Sequence, residues 1–309
     1  MKVAIIGAGI CGLYIAKNLA EKGHEVSVFE KRSVVGKMAC SGLFSSRILE
    51  LIPESEELIT NRISSAFIYF PKKTIRINFS KPFLTMSHAA LDNMMYEMAL
   101  KSGANVYFNE EKGIDIKGFD RIIGADGANS RIRKELNLPL PVLKLGIQVL
   151  TMSKDNSPLV ETWPTEDGGF IWKIPKGQET EYGIIGSPKN SASLLNQFLT
   201  DHHIASEKLS AATIPFGFSL PNSPYITLCG DSAGMIKPWS GGGVIWGLKA
   251  ANILIKHFPK FDLYRSEASW AYRPRIIASS IATKLVYYFG YHIPWLLPKT
   301  AKVEGDYLL

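Results

Sequence analysis

Three clusters of glycines and carboxylates in this chain have the types and spacing to grip a molecule made of phosphates, sugar hydroxyls and an aromatic ring. The first is Gly7-Ala8-Gly9-Ile10-Cys11-Gly12. In such a run the first glycine permits a tight turn, the second lets the backbone approach a pyrophosphate, and the third lets a helix pack closely on a strand. The amides at the start of that helix, the one at Cys11 included, face the phosphates with the positive end of the helix dipole. Glu30, followed by Lys31, lies near the ~20-residue offset at which an acid accepts hydrogen bonds from a ribose. The spacing points to a dinucleotide without separating NAD from FAD.

The second cluster follows a strand-like run at 225–229. It comprises Gly230-Asp231-Ser232-Ala233-Gly234, then Pro238, Gly241-Gly242-Gly243 and a helical stretch from Val244 to about Lys256. Asp231 can accept a hydrogen bond from a polyol. The amides near Gly242, Gly243 and Val244 can face an electron-rich ring edge, and a helix N-terminus stabilises negative charge there. The third is Asp126-Gly127-Ala128-Asn129-Ser130-Arg131, after the apolar run Arg121–Gly124. On residue types alone Asp126 is either a ligand-binding acid or the cap of a helix. Cys40, next to Ser41 and Gly42, is either a reacting thiol or a small buried residue.

The first cluster needs a strand before it and a helix after it, and both are visible. Lys2–Ile6 is apolar and β-branched, which suits a buried parallel strand. Leu13, Ala16, Leu19 and Ala20 recur at helical spacing, Gly23 ends that helix, and residues 26–29 form a second strand. With 309 residues, 46% of them hydrophobic and 20% charged, the chain is an ordinary globular one. Its net charge of +7 suits anionic ligands or an anionic membrane surface as well as simple solubility. No arginine-rich run or zinc pattern points to nucleic acid. Cys11, Cys40 and Cys229 do not form a disulfide framework, so a reducing, cytoplasmic setting is expected.

In this order, Gly7-x-Gly9-x-x-Gly12 with Glu30, Asp126-Gly127-x-x-Ser130-x-x-Arg133, and Gly230-Asp231 with Pro238 and its glycines resemble flavoproteins with a p-hydroxybenzoate hydroxylase-like fold. The resemblance runs from residue 1 to about 258. It implies FAD as cofactor, with Glu30 on the adenosine ribose, Asp231 on the ribityl chain, and the Gly243 and Val244 amides at the isoalloxazine. Where the hydroxylase branch has a histidine, Gly234 stands. Two stretches are instead similar to the geranylgeranyl reductase family. Cys40-Ser41-Gly42 resembles its Cys-x-Gly segment beside the flavin. Residues 170–175 resemble its P-x-x-Y-x-W-x-F-P motif, which lines the isoprenoid pocket. Trp172 and Pro175 match that motif, while Phe170 replaces its Tyr, Ile174 its Phe and Asp167 its first Pro. His88 falls where the family has an arginine that helps hold FAD.

The resemblance implies an FAD-dependent oxidoreductase that passes hydride from reduced flavin to isoprenoid C=C bonds of a prenyl lipid. Cys40 then lies nearest the reacting carbons, as acid or positioner, and Phe170, Trp172 and Pro175 line the pocket. Two rivals stand beside this reading. One is an FAD monooxygenase of an aromatic or polyprenyl substrate; the other is a flavin electron-transfer protein without a small-molecule substrate. No second GxGxxG is present, so the electron donor is either a ferredoxin or a transiently bound NADPH.

The expected fold class is α/β: a Rossmann-like FAD-binding domain, a β-sheet substrate domain and a C-terminal helical tail. The FAD-binding domain is expected at 1–62, 84–137 and 222–258, the substrate domain at 63–83 and 138–221, and the tail at 259–309, helical to about Pro298. Residues 66–70 and 74–79 flank a hairpin turn, and 144–152, 159–163, 169–174 and 181–187 read as strands at hairpin spacing. Residues 191–199 read as a short helix, 54–57 as a solvated acidic helix face, and His202-His203 as surface. The apolar stretch 276–293 is short for a membrane span. It is expected to pack on the substrate domain or to lie peripherally in a membrane interface with Tyr287, Tyr288, Tyr291 and Trp295.

Overall fold

The computed structural model of the chain describes residues 1–36, 39–205 and 208–306. It begins with β1 (Lys2–Ile6), α1 (Ile10–Glu21), β2 (Glu25–Glu30), β3 (Leu43–Ser45), α2 (Ile48–Leu51), β4 (Asn61–Phe70) and β5 (Lys73–Thr85). Then come α3 (His88–Lys101), β6 (Asn105–Phe108), β7 (Arg121–Gly124), α4 (Arg131–Glu135), β8 (Val142–Thr151), β9 (Leu159–Pro164), β10 (Phe170–Pro175) and β11 (Thr180–Gly186). The chain continues through α5 (Ser191–Asp201), β12 (Lys208–Phe216), β13 (Ile226–Leu228), α6 (Val244–His257), α7 (Phe261–His292) and β14 (Thr300–Val303). These elements form two units. One holds Met1–Lys37, Ala89–Leu143 and Ile214–Ile277; the other holds Met38–His88, Lys144–Thr213 and Ala278–Leu309.

The first unit is built on a parallel sheet of order β13-β7-β1-β2-β6. Val3 of β1 lies opposite Val26 of β2 on one side and Arg121 of β7 on the other. A central parallel strand is covered on both faces, and Val3, Ala4 and Ile5 are accordingly inaccessible to solvent. Leu13, Ile15, Ala16 and Leu19 of α1 are equally buried. Tyr264 and Tyr272 fasten the start of α7, donating to Leu228 O at 2.9 Å and Trp246 O at 2.7 Å.

The second sheet runs β12-β8-β11-β10-β9-β4-β5-β14, with β3 paired to the far end of β5. Leu195 and Leu199 of α5 close one of its faces over Ile147, Val149, Ile171 and Ile184. The expected hairpin and the four expected strands are all present, each within a few residues of its anticipated limits. His202 and His203 are exposed.

Residues 39–62 group by contacts with the second unit, where β3 and β4 pair with β5. Residues 259–277 belong to the first unit, held by the two tyrosine hydroxyls. α7 ends at His292, and a 3-10 turn at Pro294–Leu296 carries the helical path close to the expected limit at Pro298. The rest of the tail is not helical: Thr300–Val303 extends parallel to β5, with Thr300 opposite Arg76. The open edge of β5 offers the chain a new set of partners. β12, for which no strand was expected, lies at the sheet edge, where its Pro215 is tolerated.

Candidate cofactor and substrate sites

In the first unit, three glycines divide into two that the protein's own packing demands and one that it does not. Gly7 has φ +106°, and a Cβ there would lie 2.4 Å from Ala125 O. A Cβ on Gly12 would lie 2.1 Å from Gly7 O, so α1 can start this close to β1 only without a side chain. Around Gly9, no atom of the described residues beyond its chain neighbours lies within 4 Å of the Cβ position. That open direction sits at the N-terminus of α1, which has no side-chain cap and no acid in its first turn. A group carrying negative charge fits there. Glu30, 5% exposed, accepts from Ala8 N at 2.9 Å, Arg32 N at 3.0 Å and Arg32 Nε at 2.9 Å. A carboxylate has about four acceptor sites, so the anchored side chain retains capacity for a sugar hydroxyl. Lys31 is exposed beside it.

The three clusters, far apart in sequence, meet directly. Gly7 abuts Ala125 and Asp126. The Cys11 thiol packs between Gly230 and Gly247, where added Cβ atoms would come 2.8 Å and 2.5 Å from its sulfur. Asp231 lies against Gly243, its Oδ1 2.6 Å from a Cβ placed there. α6 then opens from Gly243 through Val244 without a side-chain cap or first-turn acid. Pro238 lies in the turn that leads to Gly242. Cys229 is a core residue, its thiol pushed up to about 12 by burial.

Asp126 caps a helix. Its carboxylate accepts from Ser130 Oγ at 2.6 Å, Arg131 N at 2.7 Å and Ile132 N at 3.2 Å, all at the start of α4. Burial raises its pKa against the pull of those donors. The side chain thus caps the helix, while the backbone at Ala125 and Asp126 abuts Gly7.

Two residues escaped the sequence-based site assignment. Arg133, 2% exposed, donates to Pro139 O at 2.8 Å, Gly217 O at 2.7 Å and Ser232 O at 3.3 Å, tying α4 to the Asp231 turn. It stood in the quoted motif, but nothing local marked it as a clamp. Lys237 is 6% exposed; its amide donates to Gly242 O at 3.1 Å and its carbonyl accepts from Gly241 N at 2.9 Å. Its side-chain arm lies against Gly242, so a cation backs the glycine turn.

In the second unit, the segment that carries Cys40, Ser41 and Gly42 lies against Met86 and Lys176. Gly42 has φ +61°, and its carbonyl accepts from Met86 N at 2.9 Å, just before His88. His88 is 6% exposed and packs edge-on to Phe44 at 5.9 Å. Cys40 and Ser41 are partly accessible. Phe170 and Trp172 share the face of β10 opposite to Ile171, which faces α5. Trp172 lies flat over Gly183 and donates from Nε1 to Glu181 Oε1 at 2.8 Å. Glu181, fully buried, also holds Lys176 Nζ at 2.5 Å. Lys176 Nζ is 3.5 Å from a Cβ placed on Gly42, which joins the Cys40 segment to the Trp172 strand. Burial pushes the Glu181 carboxyl up in pKa, with Lys176 and the Trp172 indole opposing. Pro175 ends the strand, and its carbonyl accepts from Asn61 Nδ2 at 3.1 Å.

Comparison with known proteins agrees with this architecture. An NAD(P)-binding Rossmann-like domain matches residues 5–47. The chain is 26% identical to digeranylgeranylglycerophospholipid reductase 3 of Methanosphaera stadtmanae, over 81% of this chain and 75% of that one. It is also 25% identical to a kynurenine 3-monooxygenase of Christiangramia forsetii, over 85% and 73%. In structure it matches a geranylgeranyl bacteriochlorophyll reductase-like protein of Thermoplasma acidophilum with TM-score 0.78 and 18% identity, covering 93% of this chain and 87% of that one.

Proposed function

We propose that this chain, a relative of the digeranylgeranylglycerophospholipid reductases in sequence and of a geranylgeranyl reductase-like protein in fold, is an FAD-dependent oxidoreductase that reduces isoprenoid C=C bonds of a prenyl lipid. The observation that carries the cofactor is the open direction at Gly9 between two sterically obligatory glycines, with Glu30 anchored alongside. When bound and reduced, FAD supplies a hydride. The protein's part is to hold and to exclude. The α1 N-terminus takes the pyrophosphate, Glu30 a ribose and Asp231 the ribityl chain. The Gly243 and Val244 amides, backed by the Lys237 ammonium, offer positive charge to the ring edge. Phe170 and Trp172 supply an apolar wall, and the Glu181 carboxylate fixes the indole within it. Cys40 is the proposed group nearest the reacting carbons, donating a proton or positioning the alkene.

The kynurenine 3-monooxygenase relative supports a second reading, oxygen-dependent hydroxylation. Against it stands Gly234. It has φ +70°, and a Cβ there would lie 2.3 Å from Gly217 O, so the hydroxylase histidine has no room.

The test is anaerobic. FAD-loaded protein is reduced, a geranylgeranylated lipid is added, and flavin absorbance and lipid mass are followed. Reoxidation with a gain of two hydrogens per double bond supports the reductase. A flavin that stays reduced with lipid, but reoxidises on adding oxygen and an aromatic substrate, overturns it for the monooxygenase. Repeating the assay with reduced ferredoxin and with NADPH as the only reductant identifies the donor.

A further inference from the structure

The C-terminal part of α7 has two unlike faces. Tyr287 and Tyr291 turn inward, their hydroxyls donating to Gly169 O and Pro164 O, both at 2.7 Å, with their rings edge-on to Phe70. Gly290 lies so close to Phe70 that a Cβ would come within 2.2 Å of the ring. Ile281, Leu285 and Tyr288, at i, i+4 and i+7, share the outer face and are 55%, 48% and 53% exposed. Trp295 and Leu296 in the turn beyond are 74% and 61% exposed. Contiguous apolar exposure of this kind marks an interaction surface.

The charge of the same stretch says what it meets. From 268 to 303 the sequence has five arginines and lysines and no aspartate or glutamate; Lys284, Lys299 and Lys302 fall in the segment that bears the apolar residues. We propose that this face docks on an anionic lipid membrane, lying in its interface. None of the described helices is long and apolar enough to cross a bilayer. Leu285 and Ile281 enter the acyl boundary, Tyr288 and Trp295 sit at headgroup level, and the lysines meet lipid phosphates. A second copy of the chain would bury the same residues but would set cations against their own copies. The inference deepens the prenyl-lipid reading, since it places the enzyme where such a substrate resides, yet docking needs neither FAD nor turnover.

The full chain is floated with vesicles of phosphatidylcholine alone and of phosphatidylcholine with phosphatidylglycerol, neither containing prenyl lipid. The expected result is binding to the anionic vesicles, reduced by salt. Lys284→Ala weakens it roughly fivefold. Leu285→Ser with Tyr288→Ser weakens it roughly tenfold or more, while the thermal midpoint stays unchanged because both side chains are half exposed. Wild-type protein that ignores anionic vesicles at low salt overturns the proposal, as does binding indifferent to the double substitution. A dimer in sedimentation that the double substitution splits also overturns it, with the second copy as the occupant. Docking without lipid reduction counts against the reductase alone; reduction of detergent-dispersed lipid without docking counts against the membrane face alone.

Discussion

Gly9→Ala separates holding a ligand from holding the fold. Gly9 has φ −85° and ψ 177°, a backbone open to any residue, and its Cβ direction is empty to 4 Å. As N-cap of α1, alanine forfeits about 0.5–1 kcal/mol. The stiffer unfolded chain returns about 0.4–1 kcal/mol. The two nearly cancel, so apoprotein stability in urea is expected to move by no more than about 0.5 kcal/mol. The same methyl projects into the proposed pyrophosphate position. Loss of one hydrogen bond to a charged acceptor costs about 1.5–3 kcal/mol, which raises the Kd for FAD roughly ten- to hundredfold. Gly12→Ala is the counterpart. Its Cβ would meet Gly7 O at 2.1 Å, so it is expected to destabilise the apoprotein by about 3 kcal/mol or more. Urea unfolding of the apoproteins and fluorescence titration with FAD measure both. A Gly9→Ala protein that binds FAD as tightly as the parent refutes the placement of the cofactor over Gly9.

Arg133→Lys keeps the charge but cannot reach Pro139, Gly217 and Ser232 together, so the unfolding free energy is expected to fall by about 2 kcal/mol and the urea midpoint with it; an unchanged midpoint argues against the clamp. Lys176→Met leaves the fully buried Glu181 without its cation, at a cost of about 3 kcal/mol near neutrality that Glu181→Gln in the same chain largely restores. Because the folded pKa of Glu181 is raised, its favourable contribution is present at low pH and lost as pH rises through that pKa. The Lys176→Met variant should therefore regain stability on acidification, and a flat pH profile contradicts this. Gly234→His, which would supply the hydroxylase residue, is expected to yield little folded protein; a well-folded variant removes the steric argument against the monooxygenase. Cys40→Ser that keeps full turnover in the anaerobic assay removes the thiol from the chemistry.

What could be read from the residues alone was whatever is encoded within a turn or two of chain. Alternation gave the strands around Phe170 and Trp172, helical spacing gave α1 and α6, and the glycine run placed the dinucleotide corner, because periodicity and turn chemistry are local properties. Roles that depend on which partners a side chain finally meets, near or far in sequence, were not readable. Asp126 is equally at home as ligand or cap until Ser130, Arg131 and Ile132 are seen to take its oxygens. Glu181 is an unremarkable strand residue until Trp172 and Lys176 close on it. Tyr287 and Tyr288 are neighbours of one type, yet one is bonded to Gly169 and the other faces out, since a helix turns its side chains by its own geometry but only packing decides which side is inside. The sequence by itself thus determined the dinucleotide-binding βαβ unit and the run of strands that follows it. Only the tertiary structure decided that Cys11 joins the first glycine cluster to Gly230 and Gly247, and that residues 300–303 extend the sheet at β5. Contacts across that much chain are set by which surfaces fit once the core has closed, and no local pattern carries that information.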